Sequence, residues 1–379
     1  MNKLPQIHIV SFDIPFPANY GGIIDVFFKI KALNQQGIKI QLHCFEYNHE
    51  RTSELNKYCE QVFYYKRPKS LRYFFSKLPF IVATRSNIQL YNNLIQDTNP
   101  ILFEGLHTCY FLKKIQNYKK RQIIVRSHNI EHEYYWALAK KEQNILRKIF
   151  FYTEARKLKK YESILTEDIQ IAGITKKDCL YLNQLNPNNF LLPAFHPFNK
   201  IDIKTGCGKY ILFHGNLSVN ENIEAALFII QRIASKINHE FIIAGRNPHK
   251  TILQKASLYH NVKIVANPDD TNMYELIQNA HINLLTTSQT TGIKLKLINA
   301  LHISRYCIAN NKMVQGSNLE SLCIIKNTAK EIIVAIKKTI DKPFSGENIS
   351  NRKDTLLKFV NNTENAKKLI NLLNKTNKS

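Results

Sequence analysis

The sequence runs twice through one alternation of strand and helix patterns, which constrains the fold more than any other feature. An apolar run at 7–12 leads through a loop with prolines and glycines to a helical pattern at 23–36, and a second apolar run follows at 38–45. The same order restarts in the second half, at 210–215, 222–237 and 240–245. This order is typical of parallel sheets. The sequence therefore predicts an α/β protein with two doubly wound, Rossmann-like domains.

Length and loop residues give the expected domain bounds. At about 150 residues per domain, a chain of 379 residues fits two domains. The segment 197–209 holds one proline and two glycines and is interpreted as the linker. We expect domains at 1–196 and 210–350, with a C-terminal helix within 351–379 that returns to the first domain. The domains are expected to face a central cleft, with the ligand at the carboxyl ends of the strands.

Composition excludes several classes of protein. Hydrophobic residues make up 44% of the chain, which excludes global disorder. No apolar run approaches the roughly 18–20 residues that span a bilayer, and the first ten residues lack the apolar core of a secretory signal. The seven cysteines form no CxxC pair, which argues against a disulfide framework and a zinc site. We therefore expect a cytoplasmic protein.

The positive charge is concentrated in one part of the chain. Of the net charge of +24, a large share lies within 66–160, which has 20 basic and 6 acidic residues. Such a charge favours anionic partners, although an AT-rich genome would also enrich lysine. The segment 66–80 interleaves Lys and Arg with Tyr and Phe. This pattern suits an anionic bilayer, single-stranded nucleic acid, or a solvated loop whose aromatic rings face the core.

Two glycine loops are candidate anion sites. Gly21 and Gly22 end a loop before a predicted helix, and Gly215 with Asn216 follows the predicted strand at 210–215. Glycine lets a phosphate approach the backbone amides at a helix N-terminus, although ordinary tight turns have the same composition. The chain contains neither G-x-G-x-x-G nor G-x-x-x-x-G-K-[ST], which argues against dinucleotide oxidoreductases and P-loop NTPases.

The segment TTGIKLKLINAL at 290–301 is a third candidate. Gly292 leads into a predicted helix whose first turns carry Lys294 and Lys296. A helix N-terminus with lysine suits a nucleotide diphosphate, and the alternative is an amphipathic helix with a solvated basic face.

Two histidines and a glutamate lie close together in RSHNIEHEYYW. The spacing of His128 and His132, with Glu131 between them, would suit a metal on a helix. The zincin order H-E-x-x-H and the D-x-D motif are both absent. A structural pair of hydrogen-bonded histidines is therefore favoured, and no metal site is predicted.

Taken together, these segments resemble GT-B glycosyltransferases of the family 4 (group 1) type. The resemblance rests on the order and spacing of several segments: PxxYGG, RSHNIEHEYYWALA, EARKLKKYE, ILFHGNLSVNENIEAALFII, AGRNP, VKIVANPDD and GIKLKLINAL. It implies transfer of a hexose-type sugar from a nucleotide-activated donor to an acceptor hydroxyl. It further implies retention of configuration, without a metal or another cofactor.

The resemblance also implies roles for individual residues. The paired glutamates of the family fall on Thr291 and Asn299, and an asparagine can still hydrogen-bond ribose hydroxyls. The family's basic residues after the first strand of the second domain are absent here. The expected donor-binding residues are Gly21, Gly22, Gly215, Asn216, Thr291, Gly292, Ile293 and Asn299.

The resemblance also implies residues that stabilise the charge of the leaving diphosphate and residues that face the acceptor. The transition state gathers negative charge on the leaving diphosphate, and Lys294 and Arg246 are the expected cations. His107 matches the place of an acceptor-side histidine, although a loop histidine without a role is the alternative. His128 and Glu131 are weaker acceptor-side candidates.

The leading prediction is a glycosyltransferase of capsule, O-antigen or lipopolysaccharide biosynthesis. Its expected partners are a nucleotide-sugar, a lipid-linked or glycan acceptor, and an anionic membrane at its inner face. Three alternatives stay open: a catalytically degenerate GT-B-like scaffold, a sugar-nucleotide epimerase and, last, a nucleic-acid-binding protein. No nucleic-acid partner is predicted, because no recognised module is visible.

Overall fold

The computed structural model describes residues 5–68, 70–288 and 295–374. These residues form two compact units. The first contains 5–197 together with 360–374, and the second contains the described residues between 198 and 359.

The first unit is built on a seven-stranded sheet in the order β3-β2-β1-β4-β5-β6-β7, in which all neighbouring strands are parallel. The strands are β1 (Gln6–Ser11), β2 (Lys39–Glu46), β3 (Gln61–Lys66), β4 (Ile101–Glu104), β5 (Ile123–Arg126), β6 (Gln170–Gly173) and β7 (Phe190–Leu191). The helices are α1 (Gly21–Gln35), α2 (Phe80–Ala83), α3 (Ile88–Leu94), α4 (Glu131–Lys141), α5 (Ile145–Thr166) and α6 (Lys176–Leu185). Short 3-10 helices occur at Glu54–Lys57, Leu71–Phe75 and Leu106–Lys114.

Both faces of this sheet are covered. Ile9 of β1 packs in one apolar cluster with Val26 of α1, and Val10 packs in a second cluster with Leu165 of α5. Successive side chains point to opposite faces of a strand, so a strand buried on both faces is apolar throughout. This explains why β1 and β4 carry apolar residues on both of their faces.

The second unit is built on a six-stranded sheet in the order β10-β9-β8-β11-β12-β13, again with parallel neighbours. Its strands are β8 (Ile211–His214), β9 (Phe241–Gly245), β10 (Val262–Ala266), β11 (Ile282–Leu285), β12 (Tyr306–Ala309) and β13 (Ile324–Ile325). Its helices are α7 (Asn220–Arg232), α8 (Lys250–Ala256), α9 (Asp270–Asn279), α10 (Leu295–Ile303), α11 (Asn311–Val314), α12 (Ala329–Thr339) and α13 (Gly346–Phe359), with 3-10 helices at Ala234–Lys236 and Glu320–Leu322.

The chain ends in α14 (Asn362–Leu373), which packs through Leu369 on the α1 side of the first sheet. The sequence predicts a single helix over about 352–375, and this prediction is wrong. Asn361 interrupts the helix because its side chain accepts hydrogen bonds from the backbone amides of Thr363 and Glu364, as an N-cap does.

The predicted fold class, with two parallel-sheet α/β domains, is confirmed. In each sheet the strand order reverses between two neighbouring strands, β1 with β4 and β8 with β11. Ligands of doubly wound sheets bind outside the carboxyl ends of the strands at this reversal. Within the described ranges, no helix combines the length and apolar character that crossing a bilayer requires.

Candidate functional site

The strand-order reversal of the second sheet carries a glycine loop. β8 ends at His214, and Gly215 and Asn216 connect it to α7. The backbone is close-packed here: a Cβ at Gly215 would lie 3.1 Å from Cγ of Asn222, and a Cβ at Gly245 would overlap the carbonyl oxygen of Gly215. Gly245 therefore requires glycine because of close approach, whereas a Cβ at Gly215 would require the side chain of Asn222 to shift.

This packing makes Gly245 a sensitive position. We expect Gly245→Ala to lower the free energy of unfolding by about 1–3 kcal/mol or more, because the backbone of the Gly215 loop must move. Gly346→Ala is the matched control, since a Cβ there meets nothing within 4 Å. Chemical denaturation of both variants tests this expectation, and equal stabilities would contradict it.

A lysine from α10 lies over the end of β8. The Nζ atom of Lys296 donates a hydrogen bond to Oδ1 of Asn222 at 2.8 Å and lies 5.2 Å from the centroid of the Phe213 ring. Asn222 in turn donates to the carbonyl oxygen of Asn216 at 2.9 Å. One asparagine thus connects the glycine loop to the lysine, which places a positive charge at the strand-order reversal.

Three buried polar atoms at the same elements have no hydrogen-bond partner among the described residues. They are Nε2 of His214, at the end of β8, Oγ1 of Thr286, just after β11, and Oδ1 of Asn299 on α10. Burial, and then the charge of Lys296, lower the pKa of His214 to about 3, so its imidazole is neutral at physiological pH. An unpaired buried polar atom costs about 1–3 kcal/mol, so a polar ligand that pairs these atoms is favoured.

The structure brings together some of the predicted donor-site residues. Gly215 and Asn216 lie in the loop after β8, and Asn299 lies one turn after Lys296 on α10. The predicted residues Thr291, Gly292, Ile293 and Lys294 lie outside the described residues. Lys296 follows Lys294 in the predicted helix and was given no specific role there. It is the lysine that the structure places at the glycine loop.

Arg246 lies beside the glycine loop, because its carbonyl oxygen accepts a hydrogen bond from the backbone amide of Leu217 at 2.8 Å. It follows β9, its side chain is half-exposed, and its Nη2 lies 3.8 Å from a carboxylate oxygen of Asp270. Its role toward a diphosphate stays a prediction.

The first unit has a buried ion network at the carboxyl ends of β4 and β5. Nζ of Lys29 donates to Asp25 at 2.9 Å and to Glu104 at 2.7 Å, and Nε of Arg126 donates to Asp25 at 3.1 Å. Nε2 of His128 lies 3.0 Å from Glu104. All of these side chains except His128 are essentially inaccessible to solvent.

This network includes the one cluster of metal-ligand type found in the described ranges, formed by Asp25, Glu104 and His128. The two carboxylates already have two cationic partners in Lys29 and Arg126. A divalent cation would add a third positive group to a site whose charge is balanced. The cluster therefore fits a structural network better than a metal site.

Each of the two histidines is hydrogen-bonded, but to a carboxylate rather than to the other histidine. His128 bonds to Glu104, whereas Nδ1 of His132 lies 2.9 Å from Oε2 of Glu162 on α5. The two histidines take different carboxylate partners because His132 lies in the first turn of α4 and His128 in the loop before it.

His107 and the first glycine loop lie at the strand-order reversal of the first sheet. α1 begins at Gly21, and a Cβ at Gly22 would lie 2.8 Å from Cζ of Phe12. The ring centroid of His107 lies 5.3 Å from that of Phe12, and its buried Nδ1 has no partner among the described residues. Burial, with the charge of Arg85, holds the pKa of His107 well below its usual value. His107 is thus neutral.

Glu131 begins α4 and is buried. Burial and the negative charge of Glu162 raise the pKa of Glu131 to about 8, against the opposing charge of Arg85. The carboxyl is therefore mostly protonated at neutral pH in the folded state.

The raised pKa gives a pH-dependent prediction. Between the unfolded pKa of about 4.3 and the folded value of about 8, the folded state keeps a proton that the unfolded state releases, so rising pH costs the wild type about 1.4 kcal/mol per pH unit. Glu131→Gln removes this titration. We expect the stability of the variant relative to wild type to rise by about that amount per unit between about pH 5 and 7.5. Denaturation at several pH values measures it, with the exposed Glu167→Gln as control, and parallel curves would contradict it.

The comparisons with known proteins agree with this arrangement. Residues 208–342 match the model of the family described as group 1 glycosyl transferases. An uncharacterised 44.6 kDa protein from the cps region of Klebsiella pneumoniae is 24% identical over 403 aligned residues, which cover 99% of this chain and all of that protein.

Solved structures show the same fold. The crystal structure of TarM is similar with a TM-score of 0.68 at 10% identity, covering 99% of both chains. An S. aureus TarM variant in complex with fondaparinux, α-GlcNAc-glycerol and UDP has a TM-score of 0.69 at 12% identity, covering 98% of this chain and 100% of that one. WaaG, a glycosyltransferase involved in lipopolysaccharide biosynthesis, has a TM-score of 0.64 at 9% identity, covering 97% and 99%. The predicted resemblance is confirmed: residues 208–342 match the group 1 glycosyltransferase model, and the chain has the fold of these GT-B glycosyltransferases.

Proposed function

We propose that the chain transfers a sugar from a nucleotide-sugar donor bound at the carboxyl edge of the second sheet. The observation that carries this proposal is the position of Lys296 over the end of β8, beside the Gly215 loop. A diphosphate is bound well by a cation beside a helix N-terminus, and this edge has Lys296 and the start of α7. The S. aureus TarM structure with bound UDP belongs to the same fold, which supports a nucleotide as ligand.

The proposed chemistry depends on charge stabilisation. As the bond between sugar and diphosphate breaks, negative charge accumulates on the leaving phosphate oxygens. Lys296 is a charged donor at this edge, and Lys294 and Arg246 are proposed as further donors. A lysine can supply this stabilisation without a metal ion. Retention of configuration is proposed from the type of glycosyltransferase that the sequence resembles.

The other donor-binding and acceptor-side roles are proposed for residues with an unpaired buried polar atom or a place at a strand-order reversal. Oδ1 of Asn299 is buried and unpaired among the described residues, which suits an acceptor for ribose hydroxyl donors. Gly21 and Gly22, which begin α1, remain proposed as donor-binding residues. His107, with its unpaired Nδ1, and more weakly His128 and Glu131, are proposed for the acceptor side.

The acceptor is proposed to be a lipid-linked or glycan precursor of capsule or another surface polysaccharide. The relative from a cps region supports capsule, and WaaG, with the same fold, supports lipopolysaccharide as the alternative. A cytoplasmic location at the inner membrane face is proposed from the free cysteines and from the positive charge within 66–160.

Ligand-induced stabilisation tests this proposal. The protein is heated with UDP-, GDP-, ADP- and CMP-linked sugars, and one of these should raise the melting temperature. At a hundredfold excess over Kd the expected stabilisation is about 2.7 kcal/mol. No shift with any donor would favour the alternative of a degenerate scaffold that retains the fold but not the reaction.

A further inference from the structure

Four large apolar side chains of the first unit are exposed to solvent in two segments of the chain. Phe75 is 90% exposed, Ile145 72%, Leu146 79% and Ile149 55%. We call these four residues the apolar tip. Phe75 ends the 3-10 helix Leu71–Phe75, and the other three lie in the first turns of α5. Adjacent exposed apolar groups in a protein commonly mark an interaction surface.

The two segments are held together by packing beneath the tip. The ring of Phe74 lies 5.3 Å from that of Phe150 on α5 and 4.5 Å from that of Phe80, centroid to centroid. Nζ of Lys157, also on α5, donates to the carbonyl oxygen of Phe74 at 3.3 Å. The 3-10 helix is therefore fixed against α5 by contacts of Phe74, which is itself 42% exposed, while Phe75 is almost fully in solvent.

The helix presents its apolar residues on one side. Ile145 and Ile149 are four residues apart, as are Leu146 and Phe150, and such pairs are neighbours on a helix surface. Phe150 faces the aromatic cluster with Phe74, so the remaining three form an apolar stripe with no core of their own to cover. Burying such side chains would be favourable.

Positive charges flank the tip in both segments. Arg72 and Lys77 flank Phe75, and Arg147 and Lys148 lie between Leu146 and Ile149. Neither 70–77 nor 143–150 contains an Asp or Glu. Apolar side chains among cations, without acids, match a bilayer with anionic headgroups.

We propose that the apolar tip inserts into an anionic bilayer and seats the first unit on the membrane. Three of the four tip residues are aliphatic and offer no stacking surface for nucleic-acid bases, which argues against a nucleic-acid partner. A rim this rich in cations without acids is also unlike the core of a protein interface, which is depleted in lysine. The inference rests on the proposed function in one respect: a membrane-borne acceptor is the reason for docking.

Insertion has a different salt dependence from surface attraction. Salt at about 1 M shortens the Debye length to about 3 Å and removes most of the attraction between exposed charges and lipid headgroups. Apolar burial is not screened in this way. Binding to anionic vesicles should therefore fall with salt but keep a residual part that depends on the tip.

Vesicle flotation tests the proposal with the full chain. Vesicles of phosphatidylglycerol and phosphatidylcholine, and of phosphatidylcholine alone, are compared at about 0.1 M and about 1 M NaCl. The double variant F75S/L146S should bind the anionic vesicles at least about tenfold more weakly and lose the salt-resistant part. The control L180S/L258S removes two leucines of similar exposure, 69% and 68%, and should bind as wild type does.

Several outcomes would overturn the proposal: no vesicle binding, binding abolished by salt in the wild type, or equal binding by F75S/L146S. If the wild type self-associates but does not bind vesicles, and F75S/L146S no longer self-associates, the tip would instead be a contact to a second copy of the chain. Nucleotide-sugar stabilisation is measured on the same preparations, so a failure of docking is distinguishable from a failure of the proposed reaction.

Discussion

Replacing Lys29 by methionine is expected to lower the free energy of unfolding by about 3–5 kcal/mol. Lys29 is fully buried between the carboxylates of Asp25 and Glu104, at 2.9 and 2.7 Å. Without the ammonium group, Glu104 keeps His128 as a hydrogen-bond partner at 3.0 Å, and a buried carboxylate that lacks a counter-charge is strongly unfavourable. Chemical denaturation at neutral pH measures the loss.

Two further variants separate charge from packing. Lys39→Met removes an exposed partner of Glu60, whose ion pair should contribute less than about 1 kcal/mol. The double variant Lys29→Met with Glu104→Gln removes both charges and should recover part of the stability, which gives a coupling energy. Equal losses for Lys29→Met and Lys39→Met would contradict the assignment of a buried network.

The same network predicts acid sensitivity. Burial alone would raise the pKa of Asp25 and Glu104, but the charges of Arg126 and Lys29 on Asp25, and of Lys29 on Glu104, outweigh burial and lower both. A carboxyl whose folded pKa is lowered stabilises the fold fully above its unfolded pKa, about 3.9 for Asp and 4.3 for Glu, and loses that contribution as the pH falls further. We therefore expect the network's contribution to decline progressively as the pH falls below about 4.

Replacing Lys296 by methionine is expected to weaken binding of a nucleoside diphosphate by about 10–100-fold. Hydrogen bonds between charged groups contribute about 1.5–3 kcal/mol, which corresponds to this range. Because the leaving diphosphate gains charge during the reaction, the turnover number should fall as well as the affinity. Calorimetric titration with UDP, GDP, ADP and CDP measures the affinity.

The matched control is Lys263→Met, which removes an exposed lysine of the same unit that pairs with Glu240. Lys296→Arg keeps the charge and should retain part of the binding, because a guanidinium differs from an ammonium in size and geometry. Unfolding without ligand shows whether Lys296→Met keeps its fold. If the folded variant binds the nucleotide as tightly as wild type, Lys296 is not part of the binding site.

Much of the fold follows from the sequence because the strands are buried on both faces. The runs at 7–12, 38–45 and 210–215 were predicted as strands, and each contains one in the structure. The break between α13 and α14 was missed because it depends on a single N-cap, Asn361, within an Asn- and Lys-rich segment. The split of 131–163 into α4 and α5 was allowed by the sequence and is found.

The site was less predictable because its groups come from distant parts of the chain. Lys29, Glu104 and Arg126 lie on three elements, and no local spacing relates them. No basic residue directly follows β8, yet a bound diphosphate needs a cation there. This absence could have indicated Lys296 as the cation. The apolar tip joins 71–75 with 145–149, and only the packing of Phe74 on Phe150 reveals that they belong together.

Hydrogen exchange with a bound nucleotide tests the central claim, that the second unit holds the donor, most directly. The amides of the intact protein are followed with and without saturating UDP, GDP, ADP or CDP. We expect the binding nucleotide to protect peptides that cover 211–224 and 295–303, the glycine loop after β8 and the Lys296 helix. Binding with protection confined to peptides of the first unit would contradict the account.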